Sequence, residues 1–141
     1  MLIIEKQHLE FDAKFKLPMR DTPGFPTAKQ VNYDYICFSE EAKEMVEAFE
    51  QHDLAGYYDA LIDLQYFLTG AFTRAKLPIE PGFTEVHRAN MSKERADEYG
   101  INSKRGSSLD VIKPVGWQPP DMVKVVADII YEDYRCSTQK D

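Results

Sequence analysis

The chain is expected to fold as an all-α helical bundle of about four to five helices, in one domain spanning residues 1–141. Three observations predict this. In residues 31–49 the apolar side chains Val31, Tyr35, Phe38, Ala42, Met45, Val46 and Phe49 step by threes and fours over five turns, as one face of a helix requires. Residues 54–75 are apolar on most sides, which suits a helix in the middle of a bundle or at a subunit interface. The chain has 141 residues, 43% of them hydrophobic and 12% aromatic, enough apolar surface for one folded core and too little length for two ordinary ones.

The elements follow in order. Ile4, His8, Phe11 and Phe15 recur at helical spacing, so a short amphipathic helix is expected from Leu2 to Phe15, ending before Pro18. Pro18 to Pro26, with Asp21, Pro23 and Gly24, reads as a loop. The long helix around residues 31–50 presents Glu40, Glu41, Glu44, Glu47 and Glu50 away from its apolar face, and Gln51 to Asp53 break it from the helix at 54–75. Pro78, Pro81 and Gly82 mark a turn, and Phe83, Val86, Ala89 and Asn90 suggest a helix of two to three turns. Gly100, Gly106 and the polar residues around them predict a loop or small hairpin near residues 98–115. Pro119-Pro120-Asp121 then opens a last helix with Val123, Val126, Ile129, Ile130 and Tyr134 as its apolar face.

Charge narrows the function. With 17 Lys+Arg against 24 Asp+Glu the net charge is −7, the wrong sign for displacing counterions from duplex phosphates, so nucleic acid is not expected as a partner. An acidic protein can still handle a polyanionic substrate where a divalent metal supplies the positive charge. No stretch approaches the ~20 apolar residues of a membrane span. The N-terminus also lacks the basic and long apolar regions of a signal peptide. A cytoplasmic protein without membrane partners is expected, with Cys37 and Cys136 reduced.

Two acidic clusters carry the chemistry. Glu40, Glu41 and Glu44 lie on the long helix, and Asp59 and Asp63 on the apolar one. Residues three or four apart project from one side of a helix, so each cluster presents paired carboxylates, and an antiparallel hairpin can turn the pairs toward each other. Carboxylates packed in this way repel and lose hydration, and a divalent cation relieves both costs. Magnesium takes oxygen ligands and binds substrate phosphates at the same time.

These residues resemble the all-α nucleotide pyrophosphohydrolases, the superfamily of MazG-like proteins and phosphoribosyl-ATP pyrophosphohydrolase. Its signature is E-E-x-x-E followed, after a spacer, by E-x-x-D. Glu40, Glu41 and Glu44 match the first part and Asp63 the final acid, and the resemblance extends through Tyr66, the stretch Phe83 to Lys93, Lys113-Pro114 and Gly116-Trp117. Ala60 departs from it, standing where the signature has Glu, with Asp59 one residue earlier. Positions 59 and 63 differ by about 40° around a helix, which lets Asp59 serve the same site from another angle.

The resemblance implies a MazG-like bundle that hydrolyses a nucleoside triphosphate to the monophosphate and pyrophosphate. Mg²⁺, or Mn²⁺, would be its cofactor, and the clearance of abnormal nucleotides a plausible role. Glu41, Glu44, Asp63 and Asp59 would hold the metal, and Glu40 would ligate it or act as the catalytic base that orients water. Arg88, Asn90, Lys93 and Lys113 suit phosphate and sugar contacts. Trp117 and Tyr66 offer rings for stacking on a base, although core packing accounts for both. Phosphoribosyl-ATP hydrolysis and a catalytically silent nucleotide-binding module, the latter motivated by Ala60, are the alternatives. A homo-oligomer is expected, because the helix at 54–75 has more apolar surface than a small monomer covers, and the resemblance implies a homodimer or dimer of dimers. The loop from Asp97 to Ser108 is the segment best suited to closing over substrate.

Overall fold

In a computed structural model, which describes residues 1–139, the chain forms five α-helices and one two-stranded ladder. The helices are α1 (Ile3–Phe15), α2 (Ala28–Glu50), α3 (Leu54–Ala75), α4 (Ile79–Met91) and α5 (Met122–Thr138). The strands β1 (Glu94–Arg95) and β2 (Val111–Ile112) pair antiparallel, Glu94 opposite Ile112 and Arg95 opposite Val111. The fold is therefore all-α, with the small hairpin bracketing the polar loop where the glycines predict it. Contacts group the chain into two compact units, Met1–Ile79 with Ile129–Asp141, and Glu80–Asp128. No helix among the described residues is long and apolar enough to cross a membrane. Cys37, buried, and Cys136, exposed, are both free thiols.

The first unit is built on the α2–α3 hairpin. Thr27 caps α2, accepting the Gln30 N–H at 3.3 Å while Gln30 Oε1 accepts the Thr27 N–H at 2.9 Å, so two donors that a helix start leaves open are satisfied reciprocally. Asp53 caps α3 through the Gly56 N–H at 3.0 Å. Between the helices, His52 takes a left-handed backbone conformation, φ 57°, and so short a turn makes the two helices antiparallel. The covered stripe of α2 runs Asp34, Cys37, Phe38, Glu41, Met45 and Ala48, and that of α3 runs Gly56, Tyr57, Ala60, Asp63, Leu64 and Phe67. These stripes are rotated from the expected α2 face. Val31, Tyr35, Val46 and Phe49 lie in solvent on the single chain, and the inner positions go to smaller or polar side chains.

α1 differs from its expected face for a related reason. Its buried stripe is Glu5, His8 and Asp12, while Phe11 packs at the edge against Tyr66 of α3 and Phe15 is exposed. The part of α3 that it meets carries Thr69, Gly70, Thr73 and Arg74, all buried, and buried polar groups require polar partners. Thr73 Oγ1 donates to Asp12 Oδ2 at 3.2 Å, and His8 Nδ1 lies 3.1 Å from the same oxygen. Gly70 is what lets the imidazole in: a Cβ there would stand 2.5 Å from His8 Nε2. Arg74 pairs with buried Asp34 of α2, so three helices meet on one polar seam. Burial pushes the Asp34 carboxyl above its usual range, against the pull of Arg74.

α3 packs against both α1 and α2, but one flank of it stays open within this chain. Leu54 is 80% exposed and Tyr58 65%, with Leu61, Ile62 and Leu68 also open, so the apolar flank predicted to be covered is free on the single chain. α5 likewise has no buried residue, and Val123, Ile130 and Tyr134 are exposed.

The second unit is organised by hydrogen bonds more than by a core. The Asp97 carboxylate accepts the N–H groups of Tyr99, Ile101 and Asn102 at 2.9 to 3.1 Å. The same contacts, that from Ile101 first, lower its pKa from the usual carboxylate value. Ser103 and Arg105 donate to Asp110, closing the loop on itself. The Asp97–Ser108 segment expected to close over substrate is thus tied internally by its own side chains.

Candidate active site

The hairpin decides which acids meet. Glu41 lies on the stripe of α2 turned to α3, and Asp63 on the stripe of α3 turned to α2, both half-buried. Burial is the first cause that raises the Glu41 carboxyl above its ordinary range, followed by the charges of Glu44, Asp63, Asp59 and Glu40 in that order. The five acids singled out in the sequence therefore share one electrostatic neighbourhood. None of them has an ion-pair partner among the described residues. Glu40, Glu44 and Asp59 are exposed, whereas Ala60 is only 2% exposed and fills the place on the covered stripe next to Asp63. The Ala60 departure thus falls on the inward face, and Asp59 stands outside it.

An all-oxygen donor set with unbalanced negative charge fits a hard divalent cation in kind. As placed, no three His, Cys, Asp or Glu side chains among the described residues close on a common point. The fit lies in donor chemistry and helix register, with Glu41 and Asp63 as the facing pair.

The other candidates belong to the second unit. Arg88 is engaged by Glu85, which receives its Nε and Nη2 at 2.9 and 2.7 Å. Glu85 also accepts the Asp121 N–H at 2.8 Å. The Arg88 hydrogen bonds, and then that N–H, hold Glu85 down to about 2. Glu85 is the residue that the sequence reading missed, although its spacing of three from Arg88 on one helix was a signal for such a pair. Asn90 is exposed. Lys93 Nζ and Lys113 Nζ lie over the Trp117 ring, 5.5 and 4.5 Å from its centroid. The Trp117 indole N–H is occupied by the Ala89 carbonyl at 2.8 Å. Tyr66, in the first unit, packs on His8 with ring centroids 4.8 Å apart. Burial and the Asp12 charge raise its phenol.

Compared with protein families, residues 9–90 match the model of the phosphoribosyl-ATP pyrophosphohydrolase family, more than half of the chain. The chain belongs to that family. It is thereby a member of the MazG-like all-α nucleotide pyrophosphohydrolase superfamily, and its activity class is hydrolysis of a nucleotide with release of pyrophosphate. The matched span contains all five acids, Arg88 and Asn90, while Lys93, Lys113 and Trp117 lie beyond it. A search of curated proteins finds no match.

Proposed function

We propose that the acids of the α2–α3 hairpin hydrolyse a nucleoside triphosphate, dNTP or NTP, between its α and β phosphates, giving the monophosphate and pyrophosphate. The observation that carries this reading is the Glu41 carboxyl, half-buried opposite Asp63 and raised by burial and by four neighbouring acids. Folding such an arrangement costs free energy that a cation returns, and groups held at that cost cluster at functional sites.

Glu41, Glu44 and Asp63 are the proposed magnesium or manganese ligands, with Asp59 reaching the site from the exposed side of α3. When bound, the ions neutralise phosphate charge as the α–β bridging bond breaks. Glu40, exposed beside Glu41, orients water for attack and its carboxylate accepts the proton. Of the phosphate and sugar contacts proposed in the second unit, Asn90, Lys93 and Lys113 come before Arg88, whose charge Glu85 already balances. We also propose a homodimer or a dimer of dimers, because the open apolar flanks of α2 and α3 are larger than a monomer ordinarily leaves in water.

The test is pyrophosphate release with Mg²⁺ or Mn²⁺ across dNTPs, NTPs and phosphoribosyl-ATP, beside Glu41→Gln and Asp63→Asn. Release that both variants lower by about a hundredfold or more supports the site, given the usual weight of one electrostatic group in catalysis. A preference for phosphoribosyl-ATP would select that alternative substrate. Nucleotide binding without turnover at saturating metal would replace the enzyme with a silent binding module, the reading that buried Ala60 favours.

A further inference from the structure

The second unit places two ammonium groups over one indole ring. Lys93 Nζ is 5.5 Å and Lys113 Nζ 4.5 Å from the Trp117 centroid, and neither lysine has a carboxylate partner among the described residues. Arg88, Arg105 and Lys124 of the same unit are balanced by Glu85, Asp110 and Asp128, while Arg95 and Lys104 also lack a carboxylate partner among the described residues but do not lie over a shared ring. Attraction to the ring face offsets part of the repulsion between the two lysines, but leaves their net positive charge unmatched. In a chain of net charge −7, that concentration of free positive charge is local and specific.

The backbone holds all three residues in place without help from a ligand. The Lys93 N–H bonds the Asn90 carbonyl at 3.1 Å, just past the end of α4. Lys113 directly follows β2 and precedes Pro114. The Trp117 N–H closes a turn on the Pro114 carbonyl at 3.0 Å, with Gly116 at φ 79°, a left-handed conformation that favours glycine. The indole N–H is tied to Ala89, so the ring is fixed and half-buried. The backbone positions and the ring are fixed in this way, while each lysine keeps a flexible stem that can adjust to an anion.

We propose that Lys93, Lys113 and Trp117 form a clamp for a diphosphate group, and that it takes free inorganic pyrophosphate. Two unpaired ammonium groups suit two linked phosphates better than one. The choice of diphosphate as the anion rests on the pyrophosphohydrolase reading; the clamp itself rests on the second unit alone.

Trp117 is the chain's sole tryptophan, so its emission reports on this place and no other. The full chain in metal-depleted buffer at constant ionic strength is titrated with inorganic pyrophosphate, orthophosphate and sulfate, with emission and heat both recorded. The expected result is saturable pyrophosphate binding, about tenfold or more tighter than orthophosphate, as one added charge-assisted contact gives. Lys93→Gln and Lys113→Gln should each weaken it by a similar factor, with far-ultraviolet dichroism and melting unchanged to show that they fold. No saturable heat or emission change, equal binding of orthophosphate, or binding that neither lysine substitution weakens overturns the clamp. Failure of nucleotide hydrolysis with this titration intact would instead overturn the proposed reaction and leave the clamp standing.

Discussion

Glu41 is the residue at which sequence, packing and charge meet. It sits on the covered stripe of α2 because that stripe runs Asp34, Cys37, Phe38, Glu41, and its neighbours there leave it little water and four negative charges. In metal-depleted buffer, Glu41→Gln should therefore raise the melting temperature, by roughly 2–4 °C for a change near 1 kcal/mol in a chain of this size. In the wild type, millimolar Mg²⁺ should raise it, and the variant should lose most of that gain, since only a cation that binds the folded state stabilises it. A thermal melt with and without metal checks both. Glu85 gives the opposite sign. Its acidity is held down to about 2 from an ordinary 4.5 by Arg88 and the Asp121 N–H, so its contribution is complete above 4.5 and is lost as pH falls toward 2. Glu85→Gln should be less stable than wild type at pH 7, and the gap should narrow through that window in denaturant titrations at several pH values. Glu85 was not singled out in the sequence because an i, i+3 acid–base pair is common on helix surfaces, and nothing local marks the one that also binds the N–H before α5.

At the scale of elements, helix boundaries were legible because caps and breakers are local. Periodicity and the break at Gln51 to Asp53 place α2 and α3, and Gly100 and Gly106 place the loop of the hairpin, whereas Pro81 and Gly82, read as a turn, lie in the first turn of α4, where a proline needs no backbone N–H. Helix faces were less legible. Apolar spacing predicts an Ile4, His8, Phe11 and Phe15 face for α1; His8 is buried and Phe11 packs edge-on against Tyr66, but the buried stripe also takes Glu5 and Asp12 and leaves Phe15 open, because the buried end of α3 opposite it is polar. The acidic clusters were readable for the converse reason: the i, i+3 and i, i+4 spacing is internal to each helix, and a three-residue turn suffices to bring the two together. What spacing did not reveal is that Ala60 takes the inward position and Asp59 the outward one. Gly70 tests the docking of α1. Gly70→Ala pushes a Cβ to 2.5 Å from His8 Nε2, so we expect a loss of roughly 1–3 kcal/mol by overpacking, although alanine favours the helix itself. Urea denaturation measures it, and an unchanged midpoint would contradict the α1–α3 seam.

At the scale of the whole molecule, the apolar side chains that periodicity assigns to a core are largely in solvent on the single chain. The residues below a tenth exposure are small or polar, among them Ala60, Ala75, Ala89, Thr69 and Asp12. A sequence pattern records that a face is covered and not whether its cover comes from the same chain, which is why the single-chain burial of α3 was not readable. If second copies provide that cover, Ile62→Glu, on the open flank of α3, should shift the protein in sedimentation from a larger species to the 16.3 kDa monomer and lower its stability. A wild type that already sediments as a monomer at micromolar concentration would contradict the assembly. The central claim is the reaction, and one measurement tests it most directly: identification of the products after incubating the wild-type chain with each dNTP, NTP and phosphoribosyl-ATP in millimolar Mg²⁺ or Mn²⁺. The account predicts a nucleoside monophosphate and pyrophosphate in equal amounts from a triphosphate that is accepted, and loss of both in Asp63→Asn. A nucleoside diphosphate with orthophosphate, or no product from any nucleotide tested, would contradict it.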